Sequence, residues 1–219
     1  MAQKQKAPEK VIIDDWTFRI RKPSEQRGDL TKVMILLHGH LGNENAMWIL
    51  TNPLPEDYLL IAPRAPVKLG KDQYSWHKIR PQWPDLDAYQ QISKDLLRRV
   101  DSCSEKQGIQ MKCFDLMGFS QGAALAYALA LLHPEIICRV AALAGFIPQA
   151  WKDRSHAPKL ENIKFFIAHG TRDEMVPIEK GRSAATWLEG QGAQVNFCEA
   201  DIGHKVSANC FKALGKFFE

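Results

Sequence analysis

The stretch from Phe114 to Pro134 constrains the chain most. A short apolar run, Phe114 to Met117, leads into Gly118-Phe119-Ser120-Gln121-Gly122, and an alanine-rich run follows to His133, where Pro134 stops it. The first run suits a strand covered on both faces, and the second is apolar almost all round, as a buried helix is. Five residues must then turn a strand into a helix. Glycines at both ends let the backbones approach, and the serine between them sits on a strained turn with its hydroxyl exposed above the positive end of the helix. That setting is what a nucleophilic serine requires. A glycine-bracketed turn carrying an inert serine is the plain alternative.

The same alternation recurs along the chain and defines an α/β fold, a mostly parallel central sheet flanked by helices. Val33 to Leu37, Tyr58 to Ile61, Val140 to Leu143 and Ile163 to Ile167 are near-continuous apolar runs and read as central strands. Val11 to Ile20 places Trp16, Phe18 and Ile20 on one face, as an edge or antiparallel strand does, and Val195 to Cys198 is a later strand. Leu86, Tyr89, Ile92, Leu96, Leu97 and Val100 recur at helical spacing behind the capping candidates Asp85 and Asp87. Gln121 to His133, Ala184 to Leu188 and Phe211 to Phe218 are further helical segments. No repeat, linker or long insertion interrupts the pattern. Residues 1–10 read as a flexible tail and 11–219 as a single domain without a lid.

Composition narrows the partners. A chain of 219 residues buries roughly 70% of its unfolded surface in one core. The net charge of +4 is small, and its cations are scattered rather than gathered into a stripe that could follow a phosphate backbone, so nucleic acid is not an expected partner. Lys4, Lys6 and Lys10 lie in a polar start with no apolar region of signal-peptide type, and no run reaches the ~20 residues of a membrane span. Stable membrane insertion is not expected. The five cysteines, Cys103, Cys113, Cys138, Cys198 and Cys210, are odd in number, show no metal-ligand spacing and suit a reducing, cytoplasmic setting; the three that sit inside apolar runs read as small core residues.

A serine hydroxyl needs a base and the base a carboxylate, in the chain order Ser, acid, His for this type of turn. Asp173, in His169-Gly170-Thr171-Arg172-Asp173, follows the Ile163 strand, and His204, in Asp201-Ile202-Gly203-His204, follows the Val195 strand. Glu174 and Asp201 are neighbouring carboxylates at less suitable distances from their strands. His169 precedes the acid and reads as a loop hydrogen-bonder; His77, His133 and His156 read as surface or structural. An oxyanion forming on the substrate requires two N–H donors. Gln121, after the nucleophile, supplies one, and His40 in His38-Gly39-His40-Leu41-Gly42 the other, unless that segment is merely a glycine-rich turn.

Together these residues resemble the phospholipase/carboxylesterase family of α/β-hydrolases, which includes bacterial carboxylesterases and acyl-protein thioesterases. The resemblance is carried by Leu37 to His40 with Gly42-Asn43-Glu44, Ala62 to Pro66, Tyr74-Ser75-Trp76, Gly118 to Gly122, Leu143 to Pro148, His169 to Asp173 and Gly203-His204. It implies an α/β-hydrolase fold without a lid domain, no cofactor and no metal, and an acyl pocket bordered by the early loop and the Pro66 to Trp76 segment. Family members commonly carry glycine where this chain has Leu41, so a narrower acyl site is expected. Leu41, Trp76 and Phe146 are candidate substrate contacts and equally plain packing residues. The expected function is a serine carboxylesterase for small to medium acyl esters, with a small-molecule ester or thioester as substrate. The alternatives are a thioesterase or lysophospholipase for long acyl chains and a non-catalytic ligand-binding protein; a homodimer is left open.

Overall fold

The computed structural model describes residues 7–24, 32–78, 80–109, 112–154 and 158–219. Lys4, Lys6 and His156 therefore lie outside the described residues. The chain opens with a hairpin. β1 (Glu9–Ile13) and β2 (Trp16–Arg21) pair antiparallel, Val11 opposite Phe18. The single strand expected over Val11 to Ile20 is thus two, because Asp14 and Asp15 both take positive φ (44° and 67°), the backbone of a two-residue hairpin turn. Glu9 and Lys10 pair with Ile20 and Arg19, so the tail expected through residue 10 is strand from Glu9 onward.

β3 (Lys32–Leu37), β4 (Tyr58–Pro63), β7 (Phe114–Phe119), β8 (Ile137–Leu143), β9 (Lys164–Gly170) and β10 (Gln194–Ala200) are parallel, and the eight strands run in the order β1-β2-β4-β3-β7-β8-β9-β10. The fold is that of an α/β-hydrolase. Alternation within the central strands sorts two cores. Val33, Ile35 and Leu37 pack on one face with α1 (Gln90–Lys106), α2 (Gln121–Leu132) and α4 (Ile178–Gly190). Met34 and Leu36 pack on the other with Tyr58 and α5 (Ala208–Phe218). A short hairpin, β5 (Val67–Gly70) and β6 (Gln73–Ser75), leaves the end of β4, and α3 (Gln149–Lys152) is a single turn after β8. Sequence periodicity missed the hairpin because its strands are short and half-exposed. The amphipathic helix expected from Leu86 begins as a 3-10 turn over Leu86–Tyr89, and Asp85 makes no side-chain cap bond there. No helix among the described residues is long and apolar enough to cross a membrane.

Four of the five cysteines are corrected. Cys113 is bonded to Cys138, and Cys198 to Cys210, leaving Cys103 as the buried free thiol. Cys113 and Cys138 lie next to the paired residues Phe114 and Ile137 of neighbouring strands, a proximity made by a crossover of 25 residues and invisible in local spacing. The cytoplasmic expectation rested on unpaired thiols, and these pairs remove that support.

At the amino ends of the strands, a buried polar network fastens α5 to the sheet. The Tyr58 hydroxyl donates to Asp115 and accepts from Arg139 Nη2, whose Nε donates to Asp115 at 3.1 Å and whose Nη1 donates to the Phe217 carbonyl at 3.2 Å. The guanidinium lies 5.2 Å from the Phe218 ring centroid.

Candidate active site

The candidate residues gather at the carboxyl ends of the parallel strands, where open α/β sheets place their ligand crevices. β7 runs into α2 through Ser120, whose φ of 54° and ψ of −115° are strained for a residue with a side chain. The flanking glycines make the turn possible. A Cβ on Gly122 would overlap the Leu37 carbonyl of β3, and one on Gly118 the Gly122 carbonyl, so neither position admits a larger residue without moving backbone. The Ser120 N–H is held by the Leu143 carbonyl at 2.8 Å.

Asp173 and His204 meet because their strands are neighbours. The loop after β9 bonds the end of β10 and the loop beyond it, through Thr171 N–H to Ala200 O (2.8 Å) and Arg172 N–H to Ile202 O (3.0 Å). A Cβ on Gly170 would overlap the Ile202 and Gly203 carbonyls, so glycine there lets the two loops close up. Asp173 Oδ2 lies 2.7 Å from His204 Nδ1, while Oδ1 accepts N–H groups of Met175 (3.0 Å) and Val176 (2.9 Å). Burial alone would raise the Asp173 carboxyl, but the Val176 N–H, the His204 ring and the Met175 N–H outweigh it and hold it below the ordinary carboxylate range. A carboxylate that accepts from Nδ1–H leaves Nε2 of His204 bare, the form a base requires. The His204 ring stands over the turn, its centroid 5.0 Å from that of Phe119. Among the described residues no hydrogen bond joins Ser120 to His204; in structures without substrate, catalytic hydrogen bonds are often not yet formed.

The neighbouring groups fall into other roles. His169 Nε2–H is 2.7 Å from the Val176 carbonyl, which makes it the loop hydrogen-bonder expected, and it lies 3.5 Å from Asp173. Glu174 is exposed, and Asp201 is drawn into an exposed pair with Arg172 (2.7 Å).

The early loop is held by its own histidine. His38 Nε2 accepts the Ala65 N–H at 3.1 Å and Nδ1–H donates to the Gly39 carbonyl at 2.7 Å, so the ring is neutral. Burial pushes its pKa down to about 4. The Leu41 N–H is taken by the Tyr74 carbonyl at 3.0 Å, and among the described residues the His40 N–H has no backbone acceptor. Gln121 opens α2, and its own N–H has no partner within the helix.

Of the candidate substrate contacts, Leu41 is 47% exposed and takes a positive φ of 64°, the backbone geometry that glycine adopts most readily. Phe146 is half-buried with its ring 4.8 Å from Trp83. Trp76 is buried, and its indole N–H donates to the His38 carbonyl at 2.7 Å, so it touches the site through the loop it supports. Met175, 75% exposed two residues past Asp173, joins this end of the molecule without any sequence signal. Neither had the network around His77, which read as surface or structural, been legible: His77 Nε2 lies 3.0 Å from Gln121 Nε2.

The profile of the phospholipase/carboxylesterase family matches residues 19–219, and the chain belongs to that family. Acyl-protein thioesterase 1 of Emericella nidulans is 28% identical over 188 residues, covering 75% of this chain and 78% of that protein. A probable inactive carboxylesterase of Oryza sativa is 26% identical over 204 residues, covering 84% and 82%. In three dimensions the chain resembles the Bacillus cereus carboxylesterase with a TM-score of 0.81, at 18% identity and 94% coverage of both chains, a likeness of fold.

Proposed function

We propose that the protein is a serine carboxylesterase hydrolysing small to medium acyl esters through an acyl-enzyme. Ser120 is the nucleophile, His204 the general base and acid, and Asp173 the carboxylate that holds the imidazole in its Nδ1–H tautomer. The observation carrying this reading is the 2.7 Å Asp173–His204 bond beside a serine held at positive φ between strand and helix. Membership of the family supports it.

In the first half-reaction Ser120 Oγ bonds to the acyl carbon as its proton passes to His204 Nε2. The carbonyl oxygen, now an oxyanion, is received by the N–H groups of His40 and Gln121. Collapse breaks the bond to the leaving alkoxide, which takes the proton from His204. Water then repeats the sequence against the acyl-serine and releases the carboxylic acid. Loss of one oxyanion donor costs about 3 kcal/mol of transition-state stabilisation.

A second reading, an acyl-protein thioesterase, draws on the relative of that name and uses the same residues on a longer acyl chain. Leu41, where the family commonly has glycine, favours the shorter chain. Hydrolysis of p-nitrophenyl esters from acetate to palmitate, wild type beside Ser120→Ala, tests the proposal. Turnover of short esters by wild type alone supports it; a peak at long chains favours the thioesterase. Equal inactivity of both proteins on every ester would place the chain with the non-catalytic members of its fold.

A further inference from the structure

Next to the early loop, the end of β6 and the start of α2 share hydrogen bonds whose protons can all be assigned. The backbone N–H of Trp76 is a donor, and Gln121 Oε1 accepts it at 3.0 Å, which orients the Gln121 amide. Its NH2 therefore faces Ser75 Oγ (2.9 Å) and His77 Nε2 (3.0 Å). An amide nitrogen donates and does not accept, so His77 Nε2 must be bare. The ring proton is on Nδ1, directed at the Lys78 carbonyl 3.0 Å away, and the Ser75 hydroxyl donates to the His77 carbonyl at 2.7 Å.

This segment also grips the early loop. Trp76 Nε1–H holds the His38 carbonyl at 2.7 Å, and the Tyr74 carbonyl takes the Leu41 N–H at 3.0 Å, on either side of Gly39 and His40. Tyr74 to His77 thus spans the two places from which the oxyanion donors come.

We propose that His77 is a positioning residue: its neutral ring completes a brace, through Gln121 and Trp76, that keeps the His40 and Gln121 N–H groups at their working separation, and a proton on His77 opens it. The inference rests on the esterase reading of Ser120. A protonated Nε2–H would meet the Gln121 NH2 donor against donor. Turning the amide over relieves that clash but withdraws Oε1 from the N–H of Trp76, a residue only 2% exposed, and leaves a buried donor unpaired.

The surroundings decide where this happens. His77 is faced by His40 from the early loop, Lys78 and Arg80 from its own segment, Gln121 from α2 and the ring edges of Trp83 and Tyr89. Asp95 of α1 lines the same cavity of about 410 Å³, its carboxylate engaged by Gln91 and Arg99. Burial lowers the ring's pKa, the Lys78 carbonyl acts against it, and the charges of His40 and Arg80 lower it further. The brace is therefore closed at neutral pH and opens in acid.

The test is kcat/KM for p-nitrophenyl butyrate from pH 8 to 4.5 in wild type, His77→Phe and Gln121→Glu, with near-UV circular dichroism confirming native packing at each pH. If only His204 must be neutral, the acid limb falls about tenfold per pH unit; if His77 must be neutral as well, it steepens toward about a hundredfold. The expected result is a steepened limb in wild type and a tenfold limb in His77→Phe, whose kcat at pH 8 is lower at unchanged KM, as loss of a transition-state interaction requires. In Gln121→Glu the carboxylate suits a protonated ring, so its activity relative to wild type rises as pH falls. A wild-type limb no steeper than tenfold, or a His77→Phe profile superimposable on it, overturns the inference while leaving the esterase intact. Wild-type inactivity, or undiminished activity in Ser120→Ala, fails the esterase reading itself, and the inference with it.

Discussion

Glu44 and Arg64 face each other as two parallel hydrogen bonds, Nε to Oε2 and Nη2 to Oε1, both at 2.6 Å. The carboxylate is 2% exposed and the guanidinium 25%, and the latter lies 4.7 Å from the Tyr74 ring centroid. This pair ties the loop that carries His40 to the end of β4. Removing one partner of a buried pair strands the other charge, so Arg64→Ala is expected to cost about 3 kcal/mol. A lysine offers one ammonium where the carboxylate meets a planar fork, and Arg64→Lys should recover less than half of that loss. Thermal unfolding of the three proteins checks both statements.

Asp173→Asn keeps the shape of the site and removes its charge. The amide allows His204 to take the other tautomer, with the proton on Nε2 where the proposed mechanism needs that nitrogen bare. kcat should fall by about 10⁴-fold with little change in KM. A loss below about tenfold would show that Asp173 is not the acid of this site.

His38 makes stability depend on acid. Its pKa is lowered from 6.5 to about 4, so above pH 6.5 neither the folded nor the unfolded chain holds the proton and the residue contributes nothing. Below that value the unfolded state takes up a proton that the folded state refuses, and stability falls until about pH 4, where both forms are charged. The accumulated loss is roughly 3 kcal/mol. Urea unfolding midpoints of wild type and His38→Gln should converge toward pH 4, because the glutamine variant lacks this proton uptake.

The disulfide between Cys198 and Cys210 closes a loop of 12 residues around His204. Opening a loop of that size releases about 3 kcal/mol of unfolded-state entropy. Cys198→Ser should therefore melt lower than wild type in non-reducing buffer and no lower when dithiothreitol is added, apart from the shift due to Cys113–Cys138. Its kcat should fall as well, because the segment that carries His204 has lost a covalent tie.

Much of this architecture was legible in the chain because parallel strands buried on both faces have to be apolar throughout, as Tyr58–Pro63 is. The turn at Ser120 was legible for a related reason: close backbone approach admits only glycine at Gly118 and Gly122, and that requirement is written one letter at a time. Asp173 and His204 could be placed by chain order, since each follows its strand directly. What escaped reading depends on contacts between distant segments. Cys113 finds Cys138 only after the crossover through α2 has been made, and His77 meets Gln121 only once β6 has folded back over the sheet. Asp14 and Asp15 were missed differently, since aspartate tolerates positive φ but does not demand it.

The attachment of Phe217 and Phe218 beneath the sheet has a practical side. Arg139 grips the Phe217 carbonyl and stacks near Phe218, which is wholly buried, while the same helix carries Cys210, bonded across to the strand before His204. Loss of Phe217 and Phe218 by proteolysis would take away that grip and unpack the last turn of α5. Damage begun at one end of the sheet would then be read as a loosened histidine at the other, so intact mass deserves to be checked before any batch of low activity is blamed on its chemistry.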